Sequence, residues 1–170
     1  VNVARDEQMP IGKRLTELAK NEANPYKMVV YHQDIAEGDD LPTIAPQSVL
    51  WARHQHVFAG VTWQENKERY YQYLHFRNVE PENLASGIKR GDFVSMIALF
   101  GWGRHTDRLN AAYKPLTYGE IDEEARNYSE YIKNFNPRNS PDTILSYLVI
   151  PNNEDIDLTN IDKWYERDNG

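Results

Sequence analysis

Hydrophobic positions along this chain follow two periods. Over "IGKRLTELAKN" (11–21), Ile11, Leu15, Leu18 and Ala19 fall at i, i+4, i+7 and i+8, which predicts a short helix with one apolar face. Pro10 suits its first turn and Pro25 lies past its end. A second helix is predicted over 118–135. There Ile121, Ala125, Tyr128, Ile132 and Phe135 form one stripe, and Glu123, Glu124, Arg126 and Lys133 are expected to face water. Thr117 and Glu120 make a capping-box pattern before it, and Asn136-Pro137 ends it.

Elsewhere the period is two. "SVLWARHQHVF" (48–58) sets Leu50, Ala52, His54, His56 and Phe58 opposite Trp51, Arg53, Gln55 and Val57. "RYYQYLHFR" (69–77) sets Tyr70, Leu74 and Phe76 opposite Tyr71, Tyr73 and His75, with "QENKE" before it as a hairpin connection. "KMVVYH" (27–32), "DFVSMIALF" (92–100) and "TILSYLVI" (143–150) complete the strands, the second as the central one. "DIAEGDDLPTIAPQ" (34–47) and "VEPENLASGIKRG" (79–91) read as turn-rich links. A short helix at 158–166 would be anchored by Ile161 and Trp164. The pattern predicts an α+β fold: a central antiparallel sheet of about five strands flanked by two to three helices. It is expected as a single domain over 1–170, with an N-terminal helix and linker (1–24), a core (25–150) and an acidic tail (151–170).

Charge narrows the function. Nineteen basic residues stand against 26 acidic ones, a net charge of −7, which argues against a nucleic-acid phosphate binder and weakly against docking on an anionic membrane. The longest apolar run, near "FVSMIALF", is too short to span a bilayer. There is no cysteine, which excludes disulfides, thiolate zinc sites and thiol nucleophiles. Eleven tyrosines and four tryptophans supply rings whose polar tips suit half-buried contact surfaces. The chain opens on Val1 and shows no signal peptide, which suits a mature form or a piece of a cleaved polyprotein.

Candidate chemistry concentrates in "GWGRHTDRLN" (101–110), where His105, Thr106 and Asp107 lie between Arg104 and Arg108. A hydrolase reading assembles His105 and Asp107 with a remote serine such as Ser95, because nucleophile, base and acid must converge in space. The plainer reading is a polar loop turned by Gly101 and Gly103, with Asp107 paired to Arg104 or Arg108. Trp102, at a glycine-flanked loop tip, is either tucked under the loop or offered to a partner. His54, His56 and His75 would give three imidazoles to a zinc ion if the strands paired, or merely line a half-exposed sheet face. Tyr71 and Tyr73, with Trp51 and Trp63, read either as a sugar- or protein-binding platform or as packing against helix 118–135. The acidic runs at 37–40 and 152–160 lack the spacing of a calcium loop, and no Walker, GxGxxG, HExxH or GxSxG motif is present. No cofactor is expected.

The pieces "FAGV" (58–61), "YLHFR" (73–77), "RGDFVSMIALFG" (90–101) and "PLTYGEIDEEARNYSEYI" (115–132) follow one another in a suggestive order. That order resembles the protruding domain at the C-terminus of a capsid protein in certain iflaviruses, insect picorna-like viruses such as deformed wing virus and slow bee paralysis virus. In that family an aromatic-Ala-Gly-Val strand leads, after an interval, to Arg-Gly and an apolar strand, then to a Thr-Tyr-capped helix with an Ala-Arg core. Arg90-Gly91, Thr117-Tyr118 and Ala125-Arg126 stand in those places, and the resemblance covers roughly residues 55–135. It implies a virion-surface domain concerned with host-cell attachment or entry. Its partners would be a host receptor protein or glycan and neighbouring capsid subunits, without nucleic acid or stable membrane insertion.

Some members carry a His-Ser pair and a later aspartate, proposed as a hydrolase-like site. Here the matching stretches are Thr62-Trp63-Gln64-Glu65 and Glu82-Asn83, and no His-Ser dipeptide occurs. The leading expectation is therefore binding rather than catalysis, through Trp102, Arg104, His105, Tyr71, Tyr73 and Trp63. The alternatives are an esterase-, lipase- or protease-like activity aiding membrane passage, and an unrelated β-rich carbohydrate- or protein-binding module.

Overall fold

A computed structural model describes residues 3–53, 60–105, 109–139, 144–151 and 156–165. The chain gathers into two compact units, Val1–Ala59 with Asn136–Ile156, and Gly60–Phe135 with Asp157–Gly170.

The first unit holds the sheet. Helix α1 (Val3–Ala19) precedes strand β1 (Val29–His32), the one-turn helices α2 (Ile35–Gly38) and α3 (Leu41–Ile44), and the short strand β2 (Ser48–Val49); β3 (Leu145–Val149) comes late in the chain. The order is β2-β1-β3, and β1 runs parallel to both neighbours. All four residues of β1 are buried, as befits a central parallel strand. Leu15, Val30, Leu41 and Val49 form the core, with Ile11, Ile44 and Tyr147 against it. Asp34 caps α2 by accepting from the amides of Ala36 (2.7 Å) and Glu37 (2.9 Å).

The second unit has helices and no strand among its described residues: α4 (Trp63–Phe76), α5 (Pro81–Lys89), α6 (Phe93–Phe100), α7 (Trp102–His105), α8 (Tyr118–Asn134) and α9 (Thr159–Asp162). Helix α4 lies against α6, α8 and α9, and α5 packs on α6 and α8. Its core is built from Tyr70, Tyr71, Tyr73, Leu74 and Phe76 of α4, with Leu84, Ile88, Ile97, Leu99, Ile121, Tyr128 and Ile161. No helix among the described residues is long and apolar enough to cross a membrane.

The antiparallel five-stranded sheet is therefore corrected to a mainly helical protein with a three-stranded parallel sheet. Segment 69–77 belongs to α4. Its residues 70–74 and Phe76 are all buried, because helices pack on several sides of it, so the alternation carried no facing information. The local signal was Thr62, whose hydroxyl accepts from the Glu65 amide (3.1 Å), the same Thr-x-x-Glu spacing that opens α8. Segment 92–100 is α6, not a central strand. An apolar run of eight residues fits either state, and its ends decide. Asp92 caps the amides of Val94 (3.1 Å) and Ser95 (3.3 Å), and Gly101 closes the helix at φ +81°. The apolar strand that the iflavirus resemblance places here is thus a helix.

The link at 79–91 holds α5, with Pro81 in its first turn and Gly91 past its end at φ +95°. Of 48–58 only Ser48–Val49 is strand, and residues 54–59 lie outside the described residues. The strands expected at 27–32 and 143–150 form as β1 and β3, but in parallel. Helix α8 forms with both capping-box bonds between Thr117 and Glu120, and α9 is anchored by buried Ile161. Glu124 departs from expectation: it is buried at 6% exposure.

Glu124 sits in the aromatic core because its charge is met there. Lys67 Nζ of α4 lies 2.6 Å from one carboxylate oxygen, and the Tyr71 hydroxyl donates to the same group. Burial, then the Glu124 hydrogen bond and charge, push the Tyr71 phenol far above its usual range, so it remains a donor. Tyr71 also packs against Tyr128 and Tyr131, both 5.4 Å between centroids. Lys67→Met leaves a buried carboxylate without its cation and is expected to destabilise the chain by about 3–5 kcal/mol in urea unfolding. Adding Glu124→Gln, which still accepts from Tyr71, is expected to restore much of that loss; strictly additive losses would contradict the pairing.

Candidate functional site

Four large rings of the second unit stay exposed among its described residues: Tyr118 (69%), which lies under the Lys89 ammonium, and a group of three, Trp63 (44%), Phe93 (45%) and Trp102 (44%). Each of these three is the first helical residue after its boundary residue, Thr62 for α4, Asp92 for α6 and Gly101 for α7. The Cα–Cβ bond of a helical residue tilts toward the N-terminus, so a ring at the first position projects beyond its own helix and is not covered by it. Three helix starts then bring the rings together. The Phe93 centroid lies 5.6 Å from Trp102 and 4.9 Å from His105, both edge to face. A Cβ built at Gly101 would stand 3.5 Å from Trp63 Cη2, so the α6–α7 junction passes directly beside that indole.

The rim is a clamp. Arg104 donates to both carboxylate oxygens of Glu120 (2.9 and 3.0 Å) and to the carbonyls of Lys114 (2.9 Å) and Pro115 (3.3 Å). Glu120 also accepts from the backbone and hydroxyl of Thr117, and these bonds, then Arg104, hold its carboxyl down at about 2. Arg104 therefore fixes the segment before α8 to the start of that helix. His105 is half-buried, and its Nδ1 has no hydrogen-bond partner among the described residues.

Of the residues singled out from sequence, Trp63, Trp102 and His105 meet at this surface. Phe93 joins them and was missed, hidden in an apolar run; an aromatic directly after a capping aspartate was its signal. Tyr71 and Tyr73 are core residues, 5% and 2% exposed, so they form no surface platform. Trp51 is buried in the first unit. Ser95 is also buried, its hydroxyl held by Tyr70 (2.7 Å) and Asp92 Oδ2 (2.6 Å), neither of them an imidazole. Asp107 lies outside the described residues, as do His54 and His56. His75 lies on a helix rather than on a strand beside them. No group of three or more metal-ligating side chains is found among the described residues.

His75 is a packing residue in this unit, with its ring edge-on to Phe135 (5.5 Å) and beside Phe76 (5.7 Å). Burial, then the Lys163 charge, lower its pKa to about 4 from 6.5. The unfolded chain therefore binds this proton first. The contribution is complete above pH 6.5 and is lost as pH falls through about 4. His75→Gln is expected to flatten the melting-temperature decline between those pH values; an unchanged slope would contradict a buried neutral imidazole. Compared with known protein families, characterised proteins and solved structures, the chain shows no significant match to any.

Proposed function

We propose that this protein is a binding module and that its helical unit meets a partner through Trp63, Phe93 and Trp102. The observation that carries the reading is the gathering of three exposed rings on one surface. Burying such a ring is worth about 1.5–3 kcal/mol, so a cluster left open holds free energy that a partner can recover. Tryptophan is also the residue type most enriched at binding hot spots. Catalysis has less support, since the Ser95 hydroxyl is occupied by Tyr70 and Asp92. The module is helical where its candidate surface lies, not β-rich.

A narrower form of this reading is a protruding domain on a virion surface, contacting a host receptor protein or glycan during attachment or entry. The Thr117-capped helix with Ala125-Arg126 favours it, while the helix at 93–100 stands where that reading asks for a strand. A capsid jelly-roll encoded just upstream in the parent gene is its expected companion, and any other upstream domain would end it.

The broader proposal is tested by adsorption of the labelled chain to cultured insect cells and to a glycan array. Trp102→Ala is expected to weaken binding by about 2 kcal/mol, roughly thirtyfold, with far-UV circular dichroism unchanged. Wild-type binding by a folded Trp102→Ala chain would remove the patch from the function. Unfolding of the variant would make Trp102 a structural residue instead.

A further inference from the structure

The size and charge of the aromatic patch say what kind of partner it fits. Three rings of about 150–250 Å² each, less than half exposed, offer roughly 300 Å² in all. The aromatic surface alone falls well short of the roughly 800 Å² that each side of a standard protein–protein interface buries in rings and polar rim together. The patch is on the scale of one or two small rings instead. The charged groups described beside it are already committed. Arg104 and Glu120 neutralise one another, and Asp92 is turned into the start of α6. Neither an anion nor a cation gains a salt bridge from that pair without first breaking it.

We propose that this surface holds a neutral carbohydrate, an inference that rests on the binding-surface reading above. A pyranose has an apolar C–H face that stacks on flat rings and an edge of hydroxyls. The hydroxyls both donate and accept, so they share the outer lone pairs of Glu120 and the N–H groups of Arg104 while the ion pair stays closed. The edge-to-face setting of Phe93 on Trp102, at 76°, makes a corner rather than a sandwich, which leaves ring surface open to a ligand. His105 is held against Phe93 by ring packing with its Nδ1 buried, so the imidazole serves as a wall behind the Phe93 ring. An anionic membrane surface is disfavoured by the net charge of −7.

The test titrates the full chain with neutral oligosaccharides (cello-, chito-, malto- and manno-hexaose) while following the indole N–H resonances. A proline-rich peptide and phosphatidylcholine vesicles serve as separate arms. At least one oligosaccharide is expected to move the Trp63 and Trp102 signals. Trp102→Ala and Phe93→Ala are each expected to weaken that binding by about tenfold or more. Tyr26→Ala, an exposed ring in the other unit, is expected to leave it unchanged. Should Trp102→Ala fail to fold, Phe93→Ala and Trp63→Ala carry the comparison. Unmoved signals with every oligosaccharide up to about 20 mM, beyond the millimolar range of weak ligands, would overturn the carbohydrate assignment. A peptide or vesicle response at the same indoles would then leave the binding surface standing, and silence in all arms would remove both.

Discussion

The Glu124 carboxylate, buried between the Lys67 ammonium and the Tyr71 hydroxyl, is the constraint on which the helical unit turns. Hydrophobic burial alone would accept several rotations of α4, because that helix is apolar or aromatic around most of its circumference. A buried charge does not. It is tolerable only where its cation and its donor both reach it, and α4 supplies the two at adjacent turns, four residues apart. Further bonds agree on the same rotation. Asn66 donates to the Ala98 carbonyl (3.0 Å), Tyr70 meets Ser95 (2.7 Å), and Gln72 donates to Tyr131 (2.8 Å). With α4 locked against α6 and α8, the place of its first residue, Trp63, is set as well.

The candidate surface follows from how helices begin. Thr62 and Asp92 satisfy the first amides of α4 and α6, and Gly101 turns the chain at positive φ into α7. A ring in the next position is thrown outward beyond the helix end. Three such starts converge, so an exposed aromatic cluster is built by local chain grammar on a scaffold held from within. Among the described charged groups nearby, Arg104 and Glu120 are spent on structure.

The sequence made some of this legible. Helix α8 announces itself because it is amphipathic and its capping box is explicit, and β1 and β3 also appear near their expected places, whereas α1 begins at Val3 rather than Ile11 and carries Pro10 inside it instead of in its first turn. Helices α4 and α6 did not announce themselves, for a physical reason: polar Asn66, Gln72 and Ser95 are buried with the apolar side chains while Trp63 and Phe93 are exposed, so polar and apolar positions do not separate by face and periodicity loses its meaning. Their termini carried the information that their interiors lacked. Thr62-x-x-Glu65 and Asp92…Gly101 bracket them as clearly as Thr117 brackets α8. Strand direction was misjudged because the links between strands contain helices, which return the chain for parallel pairing. At the site, a glycine-flanked tryptophan was visible as a contact candidate. Tyr71 and Tyr73 belong to the core instead, since a tyrosine-rich helix can bury its hydroxyls on carboxylates and on neighbouring side chains.

The binding surface exists only if Trp63 and Trp102 meet solvent in the folded chain. Photochemically induced nuclear polarisation with a flavin dye reads this ring by ring in the native state. Strong enhancement is predicted for the indoles of Trp63 and Trp102, and none for Trp51, which is 3% exposed. Silent Trp63 and Trp102 signals in the isolated chain would mean that the rings are covered, and the surface described above would not exist.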